Sequence, residues 1–268
     1  MMGPTHAASG AAAGIATAIT LSATGVADIT AAEAVVFTGI ASGAALVPDL
    51  DHPSATIART FGPVTRAAAK ITDKVSAAAI NATRGKRDKA VTGGHRGLTH
   101  TLLGVALAAG ATWAAIAAWG HYAALVLFFL FVTFSTHSLF RAQTRKLGPL
   151  VSAGIAAAIT AGCWFYLPAT VSAPALSLAV VVGGVAHILG DAPTHSGVPN
   201  PLAPFVSIKG KRWGRVHLLP SGLRFSASGP MDRVLFTVFG LGSAVALVVA
   251  VTSPETVGAL WLPLSATL

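Results

Sequence analysis

Cysteine occurs once in the 268 residues, and acidic side chains number only nine. The lone Cys163 excludes a disulfide framework and a thiolate metal site, and its place inside an apolar run marks it as a packed core residue. Charged residues make up 10% of the chain, against about 25% in soluble domains, which argues against a soluble fold. Period-two alternation is absent, so a transmembrane barrel is excluded. No Lys or Arg precedes the first apolar run, so that run reads as a retained helix and not as a secretory signal. The chain has neither a His-Glu-x-x-His helix nor a Gly-x-Ser-x-Gly elbow, which leaves a zincin protease and a serine hydrolase unsupported.

What is present is apolar length. Hydrophobic residues make up 53% of the chain, and the mean hydropathy is +0.70. Runs near bilayer length cover 7–27, 31–47, 101–120, 122–140, 147–167, 174–190 and 234–252. Gly120 and His121 divide the third run from the fourth, and Pro168 to Pro174 turn the fifth into the sixth. The fold class is therefore all-α: a polytopic membrane helix bundle of about six or seven helices, forming a single domain over 1–268. Gly10 with Gly14 and Gly39 with Gly43 make GxxxG steps, which suit closely approaching helices. Two polar segments interrupt the bundle. Segment 54–94 is a basic insert, in which 64–82 sets Val64, Ile71, Val75 and Ala78 against Arg66, Lys70 and Lys74. That pattern predicts a basic amphipathic helix on an anionic leaflet, followed by a mobile loop from Gly85 to Gly94. Segment 191–233 is a Pro- and Gly-rich loop, with Phe205 to Ile208 and Arg215 to Leu219 as short strands. The tail from Thr256 to Leu268 is too short to span.

The net charge of +9 does not point to nucleic acid, because no aromatic pattern interleaves with the cations. All 18 Lys and Arg fall in three segments: nine in 59–96, three in 141–146 and six in 209–233. That clustering is what the positive-inside bias produces, so these segments are expected in the cytoplasm, with the helices between them as out-and-back hairpins. The N-terminus then also lies inside. His6, the turn Asp49–Asp51–His52, the pair His95 and His100, and the helix end His187–Asp191 all fall at that one face, while His121 falls at the other.

Ionisable groups at membrane depth are costly and are usually paired or ligating. Three of the nine acids sit in these clusters. His187 and Asp191 are four apart on a helix and share a face. Asp49 and Asp51, between Pro48 and Pro53, converge with His52 on a neighbouring ion. His95 and His100 join them if Gly97 makes a turn and Thr99 starts the next helix. His6 adds a nitrogen. These eight nitrogen and oxygen ligands (His6, Asp49, Asp51, His52, His95, His100, His187 and Asp191) exceed the four of one tetrahedral site, so two or more divalent ions are expected, zinc or manganese by donor type. One of Asp49 and Asp51 is expected in the outer shell. Arg96, no ligand itself, suits an anionic oxygen such as phosphate, or simple anchoring at the membrane. His195 is a minor candidate, and His137 is placed at a core or interface.

His6, Pro48-Asp49-Leu50-Asp51-His52-Pro53, His95-Arg96-Gly97-Leu98-Thr99-His100, and His187-Ile188-Leu189-Gly190-Asp191 with Thr194, Gly197 and Pro199 together resemble the YdjM-type family across roughly 1–205. These are bacterial inner-membrane proteins described as metal-dependent hydrolases. The family is similar in its metal-binding pattern to zinc-dependent phospholipase C and the single-strand-specific zinc nucleases, which cleave phosphodiesters with a zinc cluster. This chain departs from the pattern in a long insert between His52 and His95, in Thr101 where Ser is common, and in Pro193. The residues and the resemblance lead to one expectation: a membrane-bound hydrolase of phosphoesters, such as lipid headgroups, at the cytoplasmic leaflet, with Asp49, Asp51 and Arg96 in the chemistry. The alternative is a non-enzymatic metal-binding membrane protein, either a transporter or a structural site.

Overall fold

The computed structural model describes residues 1–148, 150–164 and 172–252. Eight α-helices form within them: α1 Gly3–Ala23, α2 Ala31–Ala44, α3 Pro63–Thr83, α4 Leu102–Leu139, α5 Arg141–Leu147, α6 Leu150–Trp164, α7 Ala173–Asp191 and α8 Pro230–Thr252. Strands β1 Val198–Pro199 and β2 Arg215–Val216 pair antiparallel and make the only sheet among the described residues. The protein is thus an all-α membrane bundle. Among the described residues, four stretches are long and apolar enough to cross a bilayer: Ala31–Asp51, Leu102–Leu139, Ala173–Asp191 and Pro230–Thr252. The expected turn at 168–174, apart from its last residues, and the tail 256–268 lie outside the described residues.

Local chemistry sets the element ends. Thr30 and Glu33 form a reciprocal capping box that starts α2, and Thr101 caps α4 by accepting the Gly104 amide. Pro48 opens the 3₁₀ turn Val47–Asp51 that carries the two aspartates out of α2.

Helices α1, α2, α4 and α7 pack on one another around Ile15, Phe37, Ile40, Ile116, Phe128, Leu176 and Val180. Small residues bring the backbones together, because lipid tails give apolar side chains no drive to associate. A methyl on Gly43 would meet the Phe131 carbonyl at 2.2 Å, and one on Gly183 would meet the Ala41 carbonyl at 2.2 Å. Helix α8 lies outside, with Val234, Val238, Leu241, Val245 and Val248 exposed along its length.

Runs 101–120 and 122–140 form one helical element with no loop between them. Gly120 makes the break at φ 57° and ψ −136°, a backbone conformation that side chains with a Cβ rarely adopt. A straight helix of this length would span about 57 Å. Both ends of α4 nevertheless lie beside the same polar cluster. Leu102 donates its amide to the Pro201 carbonyl and Val105 packs by Gly184, while Ser135 meets Ser42 and Ser138 lies by Gly3. The element therefore folds back at Gly120. Trp119 and Tyr122 are exposed at that bend, as aromatics at a membrane interface are.

In the basic insert, helix α3 forms over the expected amphipathic stretch with Val64, Ile71 and Val75 exposed, and the departure from expectation lies in the loop that follows. The buried face of α3 is Thr65, Ala69, Ser76, Ala77 and Ile80. The segment Gly85 to Gly94 is tied down. Asn81 exchanges bonds with Val91, Asp73 accepts the Gly94 amide at 2.6 Å, and Asp88 accepts those of Gly85, Arg212 and Trp213. Side-chain oxygens absorb the loop's amides, a signal that composition does not carry. In the second polar segment, Arg215–Val216 is a strand as expected, but it pairs with Val198–Pro199, and only Ile208 of 205–208 makes a bridge.

Candidate metal centre

The 3₁₀ turn after α2, the 3₁₀ turn Leu98–His100, the start of α1 and the end of α7 meet at one end of the bundle. Ser76 on α3 holds the second turn in place. Its hydroxyl donates to the Gly94 carbonyl and accepts the Leu98 amide. Arg96 takes a positive φ of 55°, and Gly97 completes the turn at φ −108° and ψ −122°. Gly97 is needed for closeness: a methyl there would lie 2.5 Å from the Ser76 hydroxyl. Helix α4 then starts at Leu102, not at 100.

Five of the eight expected ligands converge. His6, His100 and His187 are fully buried, Asp191 is 1% exposed, and the Asp49 side chain is 22% exposed. His187 Nε2 lies 3.2 Å from His100 Nε2, 3.8 Å from Asp49 Oδ1 and 3.9 Å from Asp191 Oδ2. His100 Nε2 is 3.7 Å from Asp49 Oδ1, and His6 Nε2 is 3.2 Å from Asp191 Oδ1. Two donor groups result, His6–Asp49–His187 and His100–His187–Asp191, each with ligand atoms within 4.8 Å of one another. Donors around a tetrahedral ion with bonds of about 2.0–2.1 Å would sit roughly 3.3 Å apart, against the 3.2–3.9 Å found between these groups.

The tautomers agree with ligation. His187 Nδ1 donates to the Ala45 carbonyl at 2.7 Å, which leaves Nε2 with its lone pair facing the cluster. His6 stacks on His187 with ring centroids 3.8 Å apart, and neither of its buried nitrogens has a hydrogen bond. The His6 contact with Asp191 is close but misaligned. A buried imidazole with both nitrogens unpaired is costly, and a cation beside it removes that cost.

The other three lie one layer out. Asp51, fully buried, accepts the Arg96 amide at 3.0 Å, the Thr99 hydroxyl at 2.6 Å and His95 Nδ1 at 3.0 Å, and lies 3.5 Å from His100 Nδ1. It therefore orients His100 from behind. His95 is 42% exposed, with the His52 ring set edgewise against it at 4.3 Å. The Ser54 hydroxyl bonds His52 Nδ1 at 2.8 Å. His195 supplies its carbonyl to His217, and His137 bonds Ser152. Neither histidine belongs to the two donor groups.

Arg96 ties the layers together. Its guanidinium lies 2.7 Å from Asp191 Oδ2 and donates to the Gly197 carbonyl at 2.7 Å. The Met1 ammonium also sits on Asp191. Burial alone would lower the His100 pKa, but the carboxylates of Asp49 and Asp51 beside it push it up to about 9. Beside Asp49 the cluster opens into a cleft of about 240 Å³, lined also by His52, His95, Arg96 and Arg141. Sequence reasoning missed Ser76, and it missed the Ala45 and Gly197 carbonyls. No side-chain pattern marks a carbonyl, and a lone helical serine carries no signal.

Fold and site define an α-helical membrane protein with a buried histidine–aspartate cluster at one end of its bundle. The chain belongs to the YdjM inner membrane protein family, whose model matches residues 1–146. That match takes in His6, Asp49, Asp51, His52, His95 and His100, and stops before α7. Neither the curated proteins nor the solved structures compared contain a match.

Proposed function

We propose that the protein is a metal-dependent hydrolase of phosphoesters, with lipid headgroups at the cytoplasmic leaflet as its substrates. The observation that carries this reading is the pair of donor groups sharing His187, one of them open through Asp49 to a cleft. A structural ion needs four closed ligands, and an open side with a guanidinium beside it suits chemistry better. His6, Asp49, His100, His187 and Asp191 would hold the ions. Zinc or manganese bound there would supply Lewis-acid charge to a phosphoryl group and a source of hydroxide near neutral pH. Asp49, the carboxylate facing the cleft, would offer the oxygen not holding an ion as acceptor for the proton released on attack. Asp51 is filled by three donors, His95, the Arg96 amide and the Thr99 hydroxyl, and with Thr99 it keeps His100 in its tautomer. Arg96 keeps further N–H groups for the phosphoryl oxygens, since a guanidinium has five. All three basic segments join this end: Arg96 and Arg141 line the cleft, Arg212 meets Asp88, and Arg233 starts α8. That clustering supports a cytoplasmic location for this end.

The second reading is a structural metal, favoured by the fully enclosed His100–His187–Asp191 group. Zinc content and turnover on phosphatidylglycerol vesicles, measured on the same purified sample, separate the two. Hydrolysis that a chelator abolishes and zinc restores supports the enzyme. Full zinc occupancy without turnover on vesicles or on soluble phosphodiesters leaves the structural reading.

A further inference from the structure

A second cleft, of about 280 Å³, lies on the other side of His95 and Arg96, lined by Arg87, Lys89, Lys211 and Arg215 together with those two residues. Its walls are built by bonds between segments distant in sequence. Arg87 donates to the Lys209 carbonyl, Arg212 to the Thr83 carbonyl, and Trp213 to the Thr83 hydroxyl. The one acid lining the cleft, Asp88, spends its oxygens on the amides of Gly85, Arg212 and Trp213. Among the described residues, no carboxylate forms an ion pair with Lys89, Lys211 or Arg215. Arg215 is partly buried and near enough to Arg96 for the two charges to oppose each other, with Asp191 and Asp51 offsetting part of that repulsion. Cations held in mutual repulsion by a preformed frame call for an anion between them. Because His95 and Arg96 line both clefts, a molecule with one group beside Asp49 reaches the second cleft past Arg96.

We propose that this cleft binds a second phosphoryl group of the substrate, so that the substrate class is a diphosphate or bisphosphate. This rests on the hydrolase reading for the other group and excludes headgroups ending in choline or ethanolamine, whose cations the cleft repels.

The test is titration of inorganic pyrophosphate into the full chain in detergent, with a chelator present so that the histidine–aspartate cluster carries no metal. Pyrophosphate is expected to bind more tightly than orthophosphate, to weaken as salt rises, and to leave phosphocholine unbound. The Lys211→Ala/Arg215→Ala variant should bind about tenfold more weakly or worse, with unchanged zinc uptake on reloading. Lys89, exposed and free of hydrogen bonds among the described residues, gives a second variant, Lys89→Ala, without risk to the frame. In lipid nanodiscs, displacement of pyrophosphate by a long-chain lipid diphosphate indicates a lipid-borne group, and lack of displacement a soluble one; either leaves the cleft an oligophosphate site. Equal pyrophosphate affinity in wild type and both variants overturns the proposal. So does phosphocholine binding as tight as pyrophosphate, or tighter binding of a short RNA through the same residues. Absent turnover with this binding intact would count against the hydrolase reading alone.

Discussion

The two ends of the bundle are built on opposite terms. At one, three imidazoles and two carboxylates are enclosed by helix ends, hydrogen-bonded turns and the basic segments. At the other, a cleft of about 330 Å³ is lined mostly by apolar residues such as Leu21, Ile29, Phe37 and Leu176, with Trp119 and Tyr122 exposed at the Gly120 bend. No Lys or Arg lies between residues 1 and 58, between 97 and 140, or between 147 and 208. The apolar end is held by packing and by the helix caps at Thr30 and Ser172, whereas the polar end carries buried charge that packing cannot compensate. Buried ionisable groups persist where something pairs with them, and the difference between the ends marks where chemistry is to be sought.

The sharpest way to break that contrast is His187→Ala. His187 belongs to both donor groups, so its loss should reduce bound metal from stoichiometric to near none by mass spectrometry. His121→Ala, beside the bend at the far end, should keep wild-type metal content. Equal losses from the two variants would mean that the polar cluster is not the metal's place.

Asp51→Asn probes the layer behind the ligands. The amide keeps the shape but loses the charge facing His100 Nδ1 and His95 Nδ1. Metal affinity should fall about 10–100-fold in competition with a chromophoric chelator, as for other outer-shell partners. A loss as complete as that of His187→Ala would place Asp51 among the direct ligands.

The sequence made the bundle and the membership of the cluster legible for related reasons. Apolar length reports a spanning helix almost by itself, and the positive-inside bias brings His6, Asp49, His100, His187 and Asp191 to one face without any coordinates. It was silent on depth within the cluster. Asp49 and Asp51 sit two apart in one turn, and only the fold puts Asp49 at the cleft while Asp51 is filled by the Arg96 amide and Thr99. The bend in α4 was legible as Gly120, but the absence of any loop there was not.

Packing gives a smaller effect. Gly43→Ala would drive its new methyl into the Phe131 backbone, whereas a methyl on Gly110 meets nothing within 4 Å. The first should lower stability by about 1–3 kcal/mol. Gly110→Ala should be neutral or raise it by up to about 1 kcal/mol, since alanine suits a helix better. Thermal unfolding in one detergent measures both. Similar melting temperatures would show that α2 and α4 are not in contact at Gly43.

Helix α3 tests whether the contrast extends beyond the bundle, and its expected effect on stability is the smallest. Val64, Ile71 and Val75 are 72%, 62% and 53% exposed, and the cations Arg66, Lys70 and Lys74 share the helix. Facing water, those three apolar residues would serve no purpose; facing an anionic leaflet, they and the cations would act together. In detergent, Ile71→Ser should shift stability by no more than about 0.5 kcal/mol, because nothing in the protein packs on that side chain. In vesicles the position itself is informative. A nitroxide on Ile71→Cys, with Cys163 replaced by Ala, should meet dissolved oxygen more readily than a water-soluble nickel chelate. The reverse preference would make α3 a solvated strut, which holds the Ser76 hydroxyl under the Leu98 amide and does nothing at the membrane.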